Sequence, residues 1–339
     1  MSPRKVKVGI VGLGTVGGGF YDISTNSDDF EIVKVLNRSS IKYKTHDVKK
    51  YQIASDLVDL IDNVDIVVET VGGTDFADKV VRSALKSRKH VVTANKALIA
   101  ENGVELLNLA KSVEKLLLFG ASVGGGMPVL KNLEYHNLDG ISRVYGIINA
   151  TSNFVMSKLS KGMGFEEAIR IAQKEGYAES DPGDDISGKD AARKLAIICA
   201  FITNRLPKLE SIPITPLRID KNTIKTFDEM EMSIKPLVYF EIKSEGAELW
   251  VGPAAVPKKS RLGITEGTEN CLIVEGKSGI NSISGTGAGK NPTAYAIMAD
   301  VISIARGEAR SVSFSNTPIN ILKSHFETIK NVKILRLSR

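Results

Sequence analysis

The stretch from Val6 to Gly17 constrains the fold more than any other part of the chain. Its apolar run, Val6–Val11, ends directly in Gly12-x-Gly14-x-x-Gly17, and a helical pattern then continues to about Ile23. Gly12 permits the tight turn, Gly14 lets a pyrophosphate approach the backbone, and Gly17 lets helix and sheet pack closely. The free amides and dipole of the helix start favour an anion there. A turn that needs glycine only for packing would share this spacing, but its place between a strand and a helix points to dinucleotide binding.

The pattern continues. Glu31–Leu36, Val64–Thr70, His90–Thr93 and Lys115–Phe119 read as strands, and Asp75–Lys86 and a stretch from about Lys96 to Val113 read as helices. Strands apolar throughout and separated by helices predict a parallel sheet covered on both faces, the doubly wound Rossmann-type α/β architecture. We expect this domain to span residues 1–135 and to be completed by 290–339, whose basic tail packs back on it. The intervening 136–289 changes character. Ile141–Thr151, Ile234–Ser244, Glu248–Val256 and Asn270–Glu275 read as longer strands around the helices Phe165–Glu175 and Asp190–Thr203. That is a second, α+β domain on a mostly antiparallel sheet. Pro292–Ile304 reads as a helix, and the proline-rich 207–216 wraps a surface.

Cofactor preference is legible at the end of the second strand. NAD-specific domains place an acid there for the ribose hydroxyls, whereas this strand ends in Asn37-Arg38-Ser39-Ser40. Arg38 offers a planar, permanently charged fork suited to a 2′-phosphate, so NADP(H) is predicted as preferred, with NAD(H) usable. The alternative is an Arg38 that points to solvent or stacks on adenine.

Charged chemistry concentrates in Gly176–Lys194, where five carboxylates fall within twelve residues, broken by Pro182, Gly183 and Gly188. Asp190 and Lys194 are four apart on a helix and share a face. Spacing alone fits equally a surface salt bridge worth ~0.3–0.5 kcal/mol and a carboxylate–lysine pair that moves a proton in a cleft.

Taken in order, Gly12–Gly17, Val92–Ala100, Ala121–Pro128, Gly146–Phe154, Gly176–Lys194 and Gly285–Thr293 resemble the successive motifs of the homoserine dehydrogenases across nearly the whole chain. Two positions depart from that family's pattern: Gly120, where the family often has Glu, and Ala150, where it usually has Gly. The resemblance implies reversible, nicotinamide-dependent reduction of L-aspartate 4-semialdehyde to L-homoserine, in threonine and methionine synthesis. Carried over residue by residue, it makes Lys194 the acid/base lysine, with Asp190 and Lys96 beside it in the catalytic set. Glu179, Asp185 and Asp190 become the substrate-binding carboxylates. Gly12, Leu13, Gly14, Thr15, Val16, Gly17, Arg38, Thr70, Lys96 and Gly289 form the cofactor set. The backbone carbonyls of Gly120, Val123, Gly125 and Met127 fall where some members hold sodium. A homodimer through the second-domain sheets is the family-level expectation.

Other features bound the partners. Lys and Arg total 45 against 39 Asp and Glu, but they form no long run and have no interleaved aromatics, so no nucleic-acid partner is expected. No apolar run is long enough for a membrane helix, and Lys7 interrupts the N-terminal apolar stretch, against a signal peptide. Cys199 and Cys271 form no metal-type pair and argue for a reducing compartment, with one long-range disulfide left open. The expectation is a cytoplasmic, monofunctional chain without a fused kinase or a regulatory domain. Two other readings share the first domain: a dehydrogenase for another small amino acid or aldehyde, and a non-catalytic dinucleotide sensor. Only the Glu179–Lys194 layout separates them from the first.

Overall fold

A computed structural model describes residues 5–25 and 27–335. The chain divides into two units, 1–130 with 288–316, and 131–287 with 317–339.

In the first unit β1 (Val6–Val11), β2 (Phe30–Leu36), β3 (Ile66–Glu69), β4 (His90–Thr93) and β5 (Leu117–Leu118) form one parallel sheet in the order β2-β1-β3-β4-β5. Val8, Ile10, Ile66, Val68 and Val92 are fully buried, as strands covered on both faces require. Helices Thr15–Ile23, Asp75–Lys86 and Lys96–Ser112 alternate with the strands, and Lys290–Ala305 returns to complete the core through Ala294, Ile297 and Val301. Close packing explains two glycines. A Cβ at Gly17 would stand 1.9 Å from the Gly12 carbonyl oxygen, and one at Gly19 would stand 2.8 Å from Cγ of Lys290.

The second unit is built on an eight-stranded sheet. It comprises β6 (Ile141–Ile147), β7 (Met232–Lys243), β8 (Gly246–Pro257), β9 (Glu269–Gly276), β10 (Gly279–Thr286), β11 (Ile321–Leu322), β12 (Thr328–Ile329) and β13 (Val332–Ile334). The order β10-β9-β6-β7-β8-β13-β12 is antiparallel except where β8 meets β13 and β11. Along β8 nearly every side chain is buried, so both faces are covered. On one face Tyr239 stacks on Trp250 with ring centroids 5.1 Å apart, and Phe326 meets both edge-on. On the other, helix Ala150–Leu159 packs Val155, Met156 and Leu159 into a cluster with Phe227, Ile234 and Ala255.

Two expectations need correction. Residues 317–335 belong to the second unit, not the first: β11 and β13 extend the β8 edge, and Val332, Ile334 and Leu335 are buried there. The unpaired edge of β8 and the apolar ends of the tail complement each other. The apolar run after Ile141 stops being a strand at Ile147, because Asn149 caps a helix by accepting a hydrogen bond from the Ser152 amide at 2.8 Å. Both cysteines are free and buried, so the disulfide alternative falls; burial pushes the Cys199 thiol up to about 12, and the group is inert at neutral pH.

Candidate functional site

The expected site residues fall in both units. In the first, Gly12 adopts φ +100° and its carbonyl oxygen accepts a 2.7 Å bond from the Thr70 hydroxyl, which ties the glycine turn to the end of β3. A Cβ at Gly14 would meet nothing within 4 Å, so this glycine leaves space that the protein itself does not fill. The helix that follows has no side-chain cap at Gly14 and no acid in its first turn, so its leading amides are available to an anion. Gly12, Gly14, Arg38, Thr70, Val71 and Gly72 line a cleft of about 350 Å³. These features fit a dinucleotide.

At the end of β2 the side chain of Asn37 is committed. It accepts from the Leu13 amide at 2.9 Å and donates to the Ser39 carbonyl at 3.0 Å. No acid therefore stands at the ribose position, and Arg38 is exposed beside the cleft. Of the predicted turn residues, Leu13 is a core side chain whose amide is already donated, whereas Thr15 is exposed and Val16 half-buried. Lys96, half-buried, is the first residue of the helix that Asn95 caps through the Leu98 amide at 3.1 Å. Gly289, at φ +123°, opens the helix Lys290–Ala305.

The segment 120–127 holds all four carbonyls of the expected sodium set. Gly124 and Gly125 take positive φ, and the Met127 carbonyl accepts the Val129 amide at 2.8 Å. The departure at Gly120 has a steric cause. Its amide donates to Asp300 Oδ2 at 2.8 Å, and a Cβ there would stand 2.9 Å from both carboxylate oxygens of Asp300.

In the second unit, helix Lys189–Thr203 begins after Gly188, whose φ of +84° ends the preceding short helix and turns the chain. The Lys194 ammonium lies 2.8 Å from Asp190 Oδ2 and donates to the Ile148 carbonyl at 2.8 Å. Lys194 and Asp190 are only 8% and 6% exposed, which separates this pair from a solvated helix salt bridge. Asn149 joins the carboxylates: its Nδ2 donates to Asp185 Oδ1 at 2.7 Å and to Asp190 Oδ2 at 2.8 Å. Burial raises the Asp185 pKa, the Asn149 bond opposes that, and the Asp190 charge adds to it.

Lys194, Asp190 and Asp185 thus come together: Asn149 bridges the two carboxylates, and Asp190 carries the link to Lys194. Glu179 does not join them. It is exposed, and its side chain forms no hydrogen bond or ion pair within the described residues. Sequence reading passed over Asn149, although an Asn just before a helical Ala-Thr-Ser is a cap signal. Thr151, two residues on, donates to the Tyr177 carbonyl at 2.7 Å and anchors the segment that carries Glu179.

Among the described residues, one group has the makings of a metal site, Glu241, Glu248 and His325, on the sheet of the second unit. Lys243 and the Tyr239 hydroxyl already engage Glu241, and His325 Nδ1 lies 2.6 Å from Glu248 Oε2, while Glu248 Oε1 is buried without a hydrogen-bond partner among the described residues.

Residues 12–119 match the family model described as "Homoserine dehydrogenase, NAD binding domain", and 128–302 match that described as "Homoserine dehydrogenase". The homoserine dehydrogenase of Neisseria gonorrhoeae is 36% identical over 318 residues, covering 89% of this chain and 73% of that one. The crystal structure of a homoserine dehydrogenase from Thiobacillus denitrificans superposes with a TM-score of 0.87 at 32% identity, over 94% of this chain and 80% of that one. A hyperthermophilic archaeal homoserine dehydrogenase, described in complex with NADPH, shares the fold at a TM-score of 0.77 and 24% identity, over 91% of this chain and 100% of that one.

Proposed function

The chain belongs to the homoserine dehydrogenase family, and on that premise we propose that it interconverts L-aspartate 4-semialdehyde and L-homoserine with NADP(H) preferred, Lys194 being the proton donor. As a homoserine dehydrogenase it is an NAD(P)-dependent oxidoreductase acting on a CH–OH group. The pathway is that of threonine and methionine, in the cytoplasm, with the chain working as a homodimer.

The observation that carries this reading is the buried Lys194 ammonium, held between the Asp190 carboxylate and the Ile148 carbonyl. When bound, the reduced dinucleotide supplies a hydride to the aldehyde carbon. As the C=O electron pair moves onto oxygen, Lys194 gives that oxygen its proton, and the bond to Asp190 aims the ammonium. In the reverse direction neutral Lys194 takes the hydroxyl proton. Asp190 and Asp185 accept the substrate's ammonium together with Glu179, whose exposed carboxylate has no competing partner among the described residues. Lys96, at the carboxyl end of β4, stands where parallel sheets of this kind bind ligands. The carbonyls of Gly120, Val123, Gly125 and Met127 would hold a sodium ion.

NADP(H) preference rests on Arg38 beside the cleft and on the lack of an acid at Asn37. The test is the absorbance of reduced nicotinamide, followed with homoserine and each oxidised dinucleotide. Substrate-dependent reduction is expected with both and faster with NADP; no signal from folded protein overturns the reading.

A further inference from the structure

Glu69, the last residue of β3, is fully buried, and both of its carboxylate oxygens are used. Oε1 accepts from the Val71 amide at 2.6 Å, and Oε2 accepts from the Thr93 hydroxyl, across the β3–β4 pair, at 2.5 Å. Thr93 Oγ1 in turn accepts from the Asn95 amide at 2.9 Å. The Asn95 side chain closes the ring, donating to the Gly73 carbonyl at 2.7 Å and to the Val71 carbonyl at 3.3 Å. One carboxyl group therefore fastens two turns: the one with Thr70, Val71 and Gly72 on the cleft, and the one that starts the helix at Lys96. A strand end needs no acid to be stable, and a buried carboxyl is costly.

We propose that Glu69 is a positioning residue of the dinucleotide site: it holds the Val71 and Thr93 turns in one arrangement, and it takes up a proton when a dinucleotide binds. This rests on the cofactor reading above. The reason is charge. Glu69 directly precedes Thr70, whose hydroxyl bonds the carbonyl of Gly12, so an ionised carboxyl here lies behind the turn that receives a pyrophosphate dianion. The protonated acid preserves the geometry, with its O–H donated to Thr93 Oγ1 and its carbonyl still accepting from Val71. Burial pushes this carboxyl up to about 7, against the two hydrogen bonds, so both forms exist at neutral pH. The elements packed on β3 bring Lys7 on β1, His90 on β4, and Asp75, Asp78, Lys79, Arg82 and Lys86 on helix Asp75–Lys86. Lys7 and His90 lie at the far ends of their strands, and Asp78 pairs with Arg82. None of these is among the influences on Glu69, which are burial, Thr93 and Val71.

Calorimetric titration of the full chain with NADPH and with NADH, in buffers of different ionisation enthalpy, tests this. Wild type should take up protons on binding near pH 7 and bind up to about tenfold more weakly at pH 8.5 than at pH 6, since one unit of pKa is tenfold in affinity. Glu69→Gln, which satisfies the same two partners without titrating, should lose that difference in both readouts. Thr93→Val, which cuts the link between the turns, should weaken binding at both pH values while melting as a folded protein. Binding with the same proton uptake in wild type and Glu69→Gln overturns this role alone. No dinucleotide binding by folded wild type overturns the cofactor reading with it.

Discussion

Lys194 stands one helical turn after Asp190, its ammonium 2.8 Å from that carboxylate, and both side chains are almost wholly out of water. Two charges in such a place cost several kcal/mol of desolvation each unless geometry repays it. A buried ion pair is weak evidence for stability, and a buried titratable pair of this kind is a candidate for proton transfer.

Replacing Lys194 with Ala should therefore lower kcat by on the order of 10²–10⁴, the contribution of one positioned acid–base group. Dinucleotide affinity should stay nearly unchanged, because Lys194 belongs to the second unit and the glycine turn to the first. Normal turnover in this variant, with an inactive Lys96→Ala, would transfer the role to Lys96.

Glu179→Gln keeps the size of a side chain that has no partner within the described residues and removes its charge. The KM for homoserine should rise more than the KM for the dinucleotide, and the melting temperature should not move. Equal effects on both constants would mark Glu179 as a loop carboxylate only.

Asn149→Asp is the sharper probe of the carboxylate cluster. It keeps an oxygen to cap helix Ala150–Leu159 but replaces the Nδ2 donor with an acceptor facing Asp185 and Asp190. Three carboxyl groups then share one site, and like charges a few ångströms apart resist joint ionisation. Activity at neutral pH should fall about tenfold or more, by the scale of such couplings. Part of it should return as pH is lowered and one carboxyl takes a proton. A pH–rate profile parallel to wild type would refute this.

How much of this was legible in the sequence follows from the range of each interaction. Gly12, Gly14 and Gly17 were readable because their constraints are local: a positive φ at Gly12, free space at Gly14, a carbonyl 1.9 Å from any Cβ at Gly17. Asp190 and Lys194 were readable as a pair from helical spacing, but not as a buried one. Their burial depends on Ile148 and Asn149, more than forty positions earlier, and spacing says nothing about that. The tail was misplaced for the same reason: which edge Val332 and Ile334 cover is decided by the unpaired side of β8, not by the tail's own basic residues. Glu69 is one polar residue within the apolar run Val64–Thr70, and its bond to Thr93 lies across the strand pair, beyond what local spacing shows.

Arg38 should decide between the two dinucleotides. With Asn37 committed to Leu13 and no acid at the end of β2, nothing there repels a 2′-phosphate, and a guanidinium fork binds one bidentately. Arg38→Ala should lower kcat/KM for NADP by about tenfold or more, the scale of a charge-assisted contact worth roughly 1.5–3 kcal/mol, and leave the value for NAD nearly unchanged. Equal kcat/KM for the two dinucleotides in both proteins would remove Arg38 from the site.

The protonation of Glu69 also makes a prediction about stability that needs no ligand. Burial holds its carboxyl at about 7 in the folded protein, while an exposed glutamate has an ordinary value of 4.5. Between those values the native state binds more protons than the unfolded chain, so stability must fall as pH rises. The contribution is fully present below about 4.5, is lost progressively up to about 7, and is flat above. A gap of this size corresponds to about 3 kcal/mol, reduced by whatever water enters on ionisation. Glu69→Gln cannot ionise and should be free of this loss, so the stability difference between variant and wild type should shift in the variant's favour across that window. Urea denaturation of both proteins at pH 4.5, 6 and 8 measures it, and curves that stay parallel at all three values would show that Glu69 ionises as freely as a surface carboxylate.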